Sequence, residues 1–472
     1  MRNASRGIRR TRVATVIGAM LLAAAAGQAY GAAFAINENS ASGLGNAFAG
    51  GAAGAEDAST VWFNPAGMAK LATPQAALAI NLITPSIKLR NDGSQSAFLQ
   101  PLGNSDGDAG SLNVVPNLYL SMPINPQWSV GLGVNAPFGL VTEWSSDWLG
   151  RYQAIKSEVQ TINVNPAISW KVSDTFAVGV GVDWQHIKGN FSNAVNYSGA
   201  LMQAAGLAAA GGVIPPSLLP TIAGVVPGLD AKGTVDGTDS AWGWNIGFLW
   251  DATPQTRIGV HYRSSISYHI SGNVGFDYPA LPVVPPALAP VLAGLDQAVK
   301  GVLVNGGVTA DIKLPDSANL SVFHRLNDRW DLMADAQYTN WSVFKDLTFV
   351  RTTGAVLAST PENFKDTWKI AVGTTYHYND AWSFRGGLAW DQSPVNSNDM
   401  TPRLPDANRD WITLGTQYRF NRNLALDAGL AYIFVDRADT HQNAGSTPSY
   451  GSINGHYDNS VSILSAQLTY KF

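Results

Sequence analysis

Cysteine is absent from all 472 residues, so disulfide staples, thiol nucleophiles and cysteine-based metal sites are excluded at the outset. Charge is scarce too. Asp, Glu, Lys and Arg make up 14% of the chain, against about 25% in an average soluble domain. After residue 70 no long amphipathic helix pattern occurs. There is no G-x-S-x-G elbow and no H-E-x-x-H pair, and the 7 histidines are scattered. Gly43-Leu44-Gly45 is not a dinucleotide loop, because no strand precedes it. An enzyme is therefore not expected, nor any cofactor or metal.

What is present points to lipid. Aromatic residues reach 10%, with 15 Trp, and glycine numbers 47. Low charge with many Trp, Tyr and Gly suits a protein whose outer face meets a bilayer. Residues 1–31 read as a signal peptide. Arg2, Arg6, Arg9, Arg10 and Arg12 are followed by an apolar run over 13–26, and Ala29-Tyr30-Gly31 offers small residues for cleavage. Losing five arginines and no acidic residue takes the formal charge from −4 to about −9, which argues against nucleic acid as a partner.

Residues 32–75 are rich in Gly, Ala, Ser and Asn and too loose to build a core. Standing ahead of a series of strands, they read as a hatch filling the lumen of a barrel made by residues 76–472. Small side chains permit such close backbone packing. The strands announce themselves by alternation. Ile258, Val260, Tyr262, Ile266, Tyr268 and Ile270 share one face, opposite Arg257, His261, Arg263, Ser265, Ser267 and His269. Comparable sets recur near Trp242–Trp250, Trp368–Tyr378, Trp382–Trp390 and Leu424–Phe434, several beginning or ending in Trp or Tyr as an interfacial girdle would.

Fourteen such segments are expected, near 76–91, 112–123, 127–138, 156–172, 176–189, 240–251, 256–271, 310–325, 329–340, 365–379, 381–392, 407–420, 424–435 and 457–472. The fold class is all-β, a 14-stranded antiparallel transmembrane barrel. Tight turns at Asn125-Pro126, Ser173-Asp174, Thr253-Pro254, Asn327-Asp328, Asn379-Asp380 and Asn421-Arg422 alternate with long loops. Short turns inside and long loops outside is the pattern of a Gram-negative outer membrane. Alternation turns Arg257, Arg263, Lys313, Lys369 and Arg385 into the lumen, with Asp183, Asp335, Asp391 and Asp427 to pair them.

Two loops, about 190–239 and 272–309, contain long uncharged apolar stretches broken by proline, which rules out a continuous helical span. Short helices are expected near 201–210 and 288–304. Leu201, Leu207, Leu288 and Leu292 are the candidate residues of a greasy capture site; the alternative is two loops that pack on each other.

A set of short stretches stands in order near the start of the chain after residue 31: Ala33-Phe34, Ser42-Gly43-Leu44-Gly45-Asn46-Ala47, Glu56-Asp57-Ala58 and Asn64-Pro65-Ala66-Gly67-Met68. Asn135-Ala136-Pro137-Phe138-Gly139-Leu140, Trp144, Gly150-Arg151-Tyr152, Asn165-Pro166-Ala167, Leu314-Pro315-Asp316 and Asn340-Trp341-Ser342 continue the set across nearly the whole remaining chain. By these stretches the chain resembles the FadL-type outer-membrane transporters of long-chain fatty acids and their toluene-carrying relatives. The resemblance implies passive transport of a hydrophobic small molecule. It implies loop capture, an internal pocket in which Phe34 is displaced by ligand, and a lateral opening through the wall. Fatty acid leads as ligand; a monoaromatic or other hydrocarbon is second, and a general diffusion porin is the rival of another class.

Asn64-Pro65-Ala66 forces a turn and reads as the hatch lock. Pro137-Phe138-Gly139 interrupts a strand and reads as the lateral gate. Arg151, Lys313 and Arg385 are the candidate partners of a ligand carboxylate. The expected surroundings are outer-membrane lipid and lipopolysaccharide, with the barrel assembly machinery acting during biogenesis. The barrel is expected to be a monomer.

Overall fold

The computed structural model describes residues 33–105, 107–443 and 450–472, so the expected signal peptide lies outside the described residues. The chain first runs through β1 (Gln75–Asn91), β2 (Asn113–Pro123), β3 (Trp128–Asn135), β4 (Gly139–Glu143), β5 (Lys156–Lys171) and β6 (Phe176–Asn196). Next come β7 (Asp230–Asp251), β8 (Thr256–Arg263), β9 (Ile266–Asp277), β10 (Gly306–Leu314), β11 (Ser317–Asn327) and β12 (Trp330–Thr339). A hairpin of β13 (Asp346–Arg351) and β14 (Val356–Pro361) follows. The wall is finished by β15 (Thr367–His377), β16 (Trp382–Asp391), β17 (Arg409–Arg419), β18 (Leu424–Val435), β19 (Ala438–Gln442) and β20 (Ile453–Lys471).

β3 with β4, β8 with β9, β10 with β11 and β18 with β19 are each two parts of one pass, and the hairpin pairs with the outer end of β10 (Val308↔Arg351, Thr309↔Val350) without adding a pass, so the wall has fourteen antiparallel passes. β1 pairs with β20 from Gln75↔Lys471 to Asn91↔Gly455, which closes the barrel and leaves no free sheet edge there. All the expected tight turns form, and in four of them one Asn side chain accepts from two backbone N–H groups. Asn125 takes Gln127 and Trp128, Asn327 takes Arg329 and Trp330, Asn379 takes Ala381 and Trp382, and Asn421 takes Asn423 and Leu424. Beside these turns the outward aromatics pair across strands, as in Trp128 stacked on Trp170 at 5.7 Å.

The structure departs from the expectation in three ways. β6 and β7 continue past the bilayer as one ladder to Asn196↔Asp230, so the loop read as 190–239 shrinks to 197–229. β9 and β10 likewise shorten the second loop from 272–309 to 278–305. Polar and glycine-rich sequence there hid the strands, because outside the membrane the outer face needs no apolar residues.

Second, Lys313 is exposed on the outer face, while its neighbours Ile312 and Leu314 are buried inside. Two adjacent passes break at one level, at Ser264-Ser265 and at Pro315-Asp316, between the pairs Arg263↔Ser317 and Ile266↔Leu314. His261 and Arg263 point inward below the break, and so do Ile266, Tyr268 and Ile270 above it. The shared face expected for 258–270 is therefore split, since Arg263 and Ile266 face inward three residues apart instead of two, and that slip of one turns every later side chain over.

Third, the pass expected over 127–138 breaks after Asn135 and resumes as β4. Residues 136–138 face only 161–162 of β5 between the pairs Asn135↔Asn163 and Gly139↔Gln160, a bulge with the same inverting effect.

Residues 33–71 run inside the barrel and bond to strands around its circumference. Ala52 N–H donates to Ser321 Oγ (3.0 Å), Thr413 Oγ1 to the Gly45 carbonyl (3.1 Å), Ser169 Oγ to the Ala66 carbonyl (3.2 Å) and Gln467 Nε2 to Asp57 Oδ2 (2.9 Å). The fit needs glycine in the wall. A Cβ on Gly247 would lie 1.9 Å from Asn64 Oδ1, and one on Gly259 would lie 2.0 Å from the Ala52 carbonyl oxygen.

Candidate functional site

Phe34 sits in the outer half of the barrel, 5% exposed. Its ring lies edge-on to Trp341 at 4.8 Å and to Phe344 at 5.6 Å, with Phe138 at 6.0 Å, and Phe364 closes the cluster against Trp341 and Phe344. The pocket around it is lined by side chains of β4, β5, β6 and β10 and of the chain segments near 344–364 and 403–404. With Phe34 in place it holds only about 40 Å³, space for a few waters at most and too little for an acyl chain. Any sizeable ligand must displace the ring.

The same N-terminal segment repairs the break in the wall. Ile36 N–H donates to the Pro137 carbonyl (2.8 Å) and Gly139 N–H donates to the Phe34 carbonyl (2.7 Å), making a short antiparallel bridge between Ala35 and Phe138. On the other side Thr161 Oγ1 donates to the Phe138 carbonyl (2.7 Å). Proline brings no N–H to a ladder, and the neighbours it strands must find other partners. The ladder between β2 and β3 stops at Leu118↔Val134, so 113–117 of β2 have no β3 or β4 partner and the wall parts here. A cavity of about 110 Å³ beneath Phe34 touches both Pro137 and Phe138. Phe34 and Pro137-Phe138-Gly139, separate in the sequence reading, thus form one unit.

Asn64 is fully buried at the base of the segment. Its Nδ2 donates to the carbonyls of Ala52 (2.7 Å) and Phe248 (3.0 Å), and its Oδ1 accepts from Ala66 N–H (3.0 Å) at the start of the short 3-10 helix Pro65–Lys70. One side chain therefore holds the hatch to itself and to β7.

The expected carboxylate partners are placed elsewhere. Arg151, 3% exposed, is spent on Asp230 (2.8 Å), the Tyr152 hydroxyl and three loop carbonyls. Arg385 is held by Asp427 and by Glu56 of the hatch (2.9 Å), and Lys313 faces outward. Of the four leucines expected to capture ligand, Leu201, Leu288 and Leu292 are buried in a cluster formed by helices Tyr197–Ala210, Leu219–Val225 and Ala289–Lys300. Leu207 is 70% exposed. The two loops pack on each other.

Sequence reasoning missed Arg403 and Glu362, the only charged residues among the described residues that line the Phe34 pocket. Arg403 donates to Ser157 Oγ (3.0 Å) and the Lys156 carbonyl (3.3 Å). Glu362 is 7% exposed, and burial pushes its carboxyl up to about 8, against the opposing pull of Arg403 and with a smaller push from Asp399. The one available signal was an arginine fixed between two prolines in Thr401-Pro402-Arg403-Leu404-Pro405.

Comparison with known proteins agrees with this architecture. The family model described as outer membrane protein transport protein (OMPP1/FadL/TodX) matches residues 22–472. The chain is 30% identical over 406 residues to a long-chain fatty acid transport protein of Salmonella typhi, covering 86% of this chain and 88% of that protein. It is 32% identical over 421 residues to a 47 kDa outer membrane protein of Pasteurella multocida, covering 88% and 90%. The crystal structure of a Pseudomonas aeruginosa FadL homologue superposes with a TM-score of 0.78 at 26% identity, over 93% of this chain and 100% of that one. The P. putida toluene transporter TodX shares the fold, with a TM-score of 0.66 at 19% identity over 94% and 99%. The family is one of outer-membrane transport proteins and not enzymes, and the protein is an outer-membrane, multi-pass β barrel that belongs to this OMPP1/FadL/TodX family.

Proposed function

We propose that this barrel carries long-chain fatty acids passively across the outer membrane, with Phe34 as the element a ligand must move. The reading rests above all on one observation: the segment whose ring fills the apolar pocket also hydrogen-bonds across the break at Pro137. An acyl chain entering from the loops exchanges water for apolar lining, worth roughly 25 cal/mol per Å² buried. It lifts Phe34, descends into the cavity beneath and leaves sideways between β2 and β4 into the bilayer, avoiding the polar lumen. Asn64 keeps the base of the hatch in place meanwhile.

A fatty acid is favoured over a hydrocarbon because one corner of the pocket is charged, and an arginine there supplies a charge-assisted partner for a carboxylate. The fatty acid transport protein of Salmonella typhi, 30% identical, points the same way. Deleting residues 32–39 tests the role of the segment. Uptake of a radiolabelled fatty acid into proteoliposomes should fall at least tenfold, while small sugars stay excluded in liposome swelling. Unchanged uptake would reduce the segment to a passive filler, and free passage of sugars through the intact protein would favour a porin.

A further inference from the structure

The pocket's lining is unusually uneven. Its other members, among them Leu140, Val159, Ile312 and Phe344, are apolar, and all its charge lies with Glu362 and Arg403. A fatty carboxylate bound beside Arg403 would lie next to an acidic side chain, which as an anion would repel it. The question is why the acid is there.

We infer that Glu362 sets the pocket's selectivity for a carboxylate head group, acting as a neutral carboxylic acid that donates its O–H to the ligand's carboxylate beside Arg403. This rests on the fatty-acid reading above and adds a specificity-determining residue to it. Three observations carry it. Among the described residues, no group hydrogen-bonds the Glu362 carboxyl and no ion pair within 4 Å joins it to Arg403. Arg403 is anchored instead by Ser157 and the Lys156 carbonyl, which aims a cation into the pocket without cancelling it against Glu362. Finally, the charged groups that act on Glu362 are Arg403, which favours its anion, and Asp399, which opposes it. Asp399 is itself fixed by Asn363 Nδ2 at 3.1 Å, and Lys156 of the adjoining strand is occupied with Glu158 at 2.9 Å. Burial outweighs Arg403, and the acid's midpoint rises to about 8. Near neutrality the group is then mostly a donor, as a carboxyl in an apolar site can be.

Affinity scales with the fraction of protein in the binding-competent form. With a midpoint of about 8, raising the pH from 7 to 9 should weaken binding of decanoate by about tenfold, while decanol changes little. The measurement is made on the intact barrel in nanodiscs, since detergent would compete for the pocket. The variant Glu362→Gln keeps a donor that cannot ionise and should lose the pH step. Glu362→Leu should weaken decanoate at pH 7 and leave decanol as tight or tighter. A pH step that survives in Glu362→Gln, or decanoate bound equally well by Glu362→Leu, would overturn the assignment while leaving the pocket's role intact. A wild-type barrel that binds neither probe would overturn both.

Discussion

In the membrane half of the wall, β1 turns Leu78, Ile80 and Leu82 outward and Gln75 and Asn81 inward. In its outer half the same strand buries Ile83, Ile87 and Leu89 inside and presents Ser86, Lys88 and Arg90 outside. β20 repeats this. Leu464, Leu468 and Tyr470 face out opposite Ser465, Gln467 and Thr469, while higher up Tyr457, Val461 and Ile463 face in opposite His456 and Asp458. The barrel is apolar outside and polar inside where lipid surrounds it, and the reverse where water does. Polar side chains in the lower lumen grip the hatch; apolar ones above form the pocket around Phe34.

Two devices produce the reversal. β1 and β20 keep a straight backbone and move their apolar residues to the other face. The passes β3/β4, β8/β9 and β10/β11 shift the backbone instead, so that a constant alternation in the sequence serves lipid below and the apolar interior above. Each device meets the rule that one residue of slip exchanges the faces of a strand.

Putting a strand out of step with its break should have the largest effect. With Pro315-Asp316 holding the break in the neighbouring pass, deleting Ser265 would move Ser267 and His269 into the inward positions and turn Tyr268 and Ile270 outward, exposing two side chains worth about 1.5–3 kcal/mol each when buried. The expected outcome is loss of the folded, heat-modifiable species on electrophoresis. A folded variant that still binds fatty acid would show that the inversion is dispensable.

A smaller effect is expected at the polar seal. Asn64→Ala leaves the Ala52 and Phe248 carbonyls without their donor, at a cost of about 1–3 kcal/mol for each that stays dry. The hatch should loosen while the wall holds. Ion conductance in planar bilayers should rise, with little change in the barrel's thermal unfolding, and a tight channel would count against the lock. Smallest of all should be Lys313→Ala, whose effect on stability should stay within about 0.5 kcal/mol. Fatty-acid affinity in nanodiscs should not change, because the side chain faces water; a marked loss would put it back in the pocket.

These breaks also explain what could be read from sequence and what could not. Strand number, the turns at Asn125, Asn327, Asn379 and Asn421, and the inward positions of Arg263, Lys369, Arg385 and Asp427 follow from alternation and turn chemistry, which are local. Lys313 was misplaced because Ile312, Leu314, Leu320 and Val322 keep an unbroken period of two across Pro315-Asp316, where the backbone changes phase, just as Ile258, Val260, Ile266 and Ile270 do across Ser264-Ser265. Phe34 and Pro137 were legible through resemblance, but not the hydrogen bonds that join their segments, from Ile36 N–H to Pro137 and from Gly139 N–H to Phe34. Arg403 and Glu362 stand in irregular segments, where no periodicity ties position to orientation. Their role emerges only when the chain brings two loops over one pocket.

The bridge between Ala35 and Phe138 has one more consequence. Ile36 N–H donates to the Pro137 carbonyl and Gly139 N–H to the Phe34 carbonyl across the break, so the segment that carries Phe34 is also part of the wall. On the proposed route, withdrawing Phe34 and loosening the side exit would be a single movement, with no relay between them. An empty pocket would then keep the exit shut, so the outer membrane need not trade its barrier for permeability: the cargo itself would turn the key.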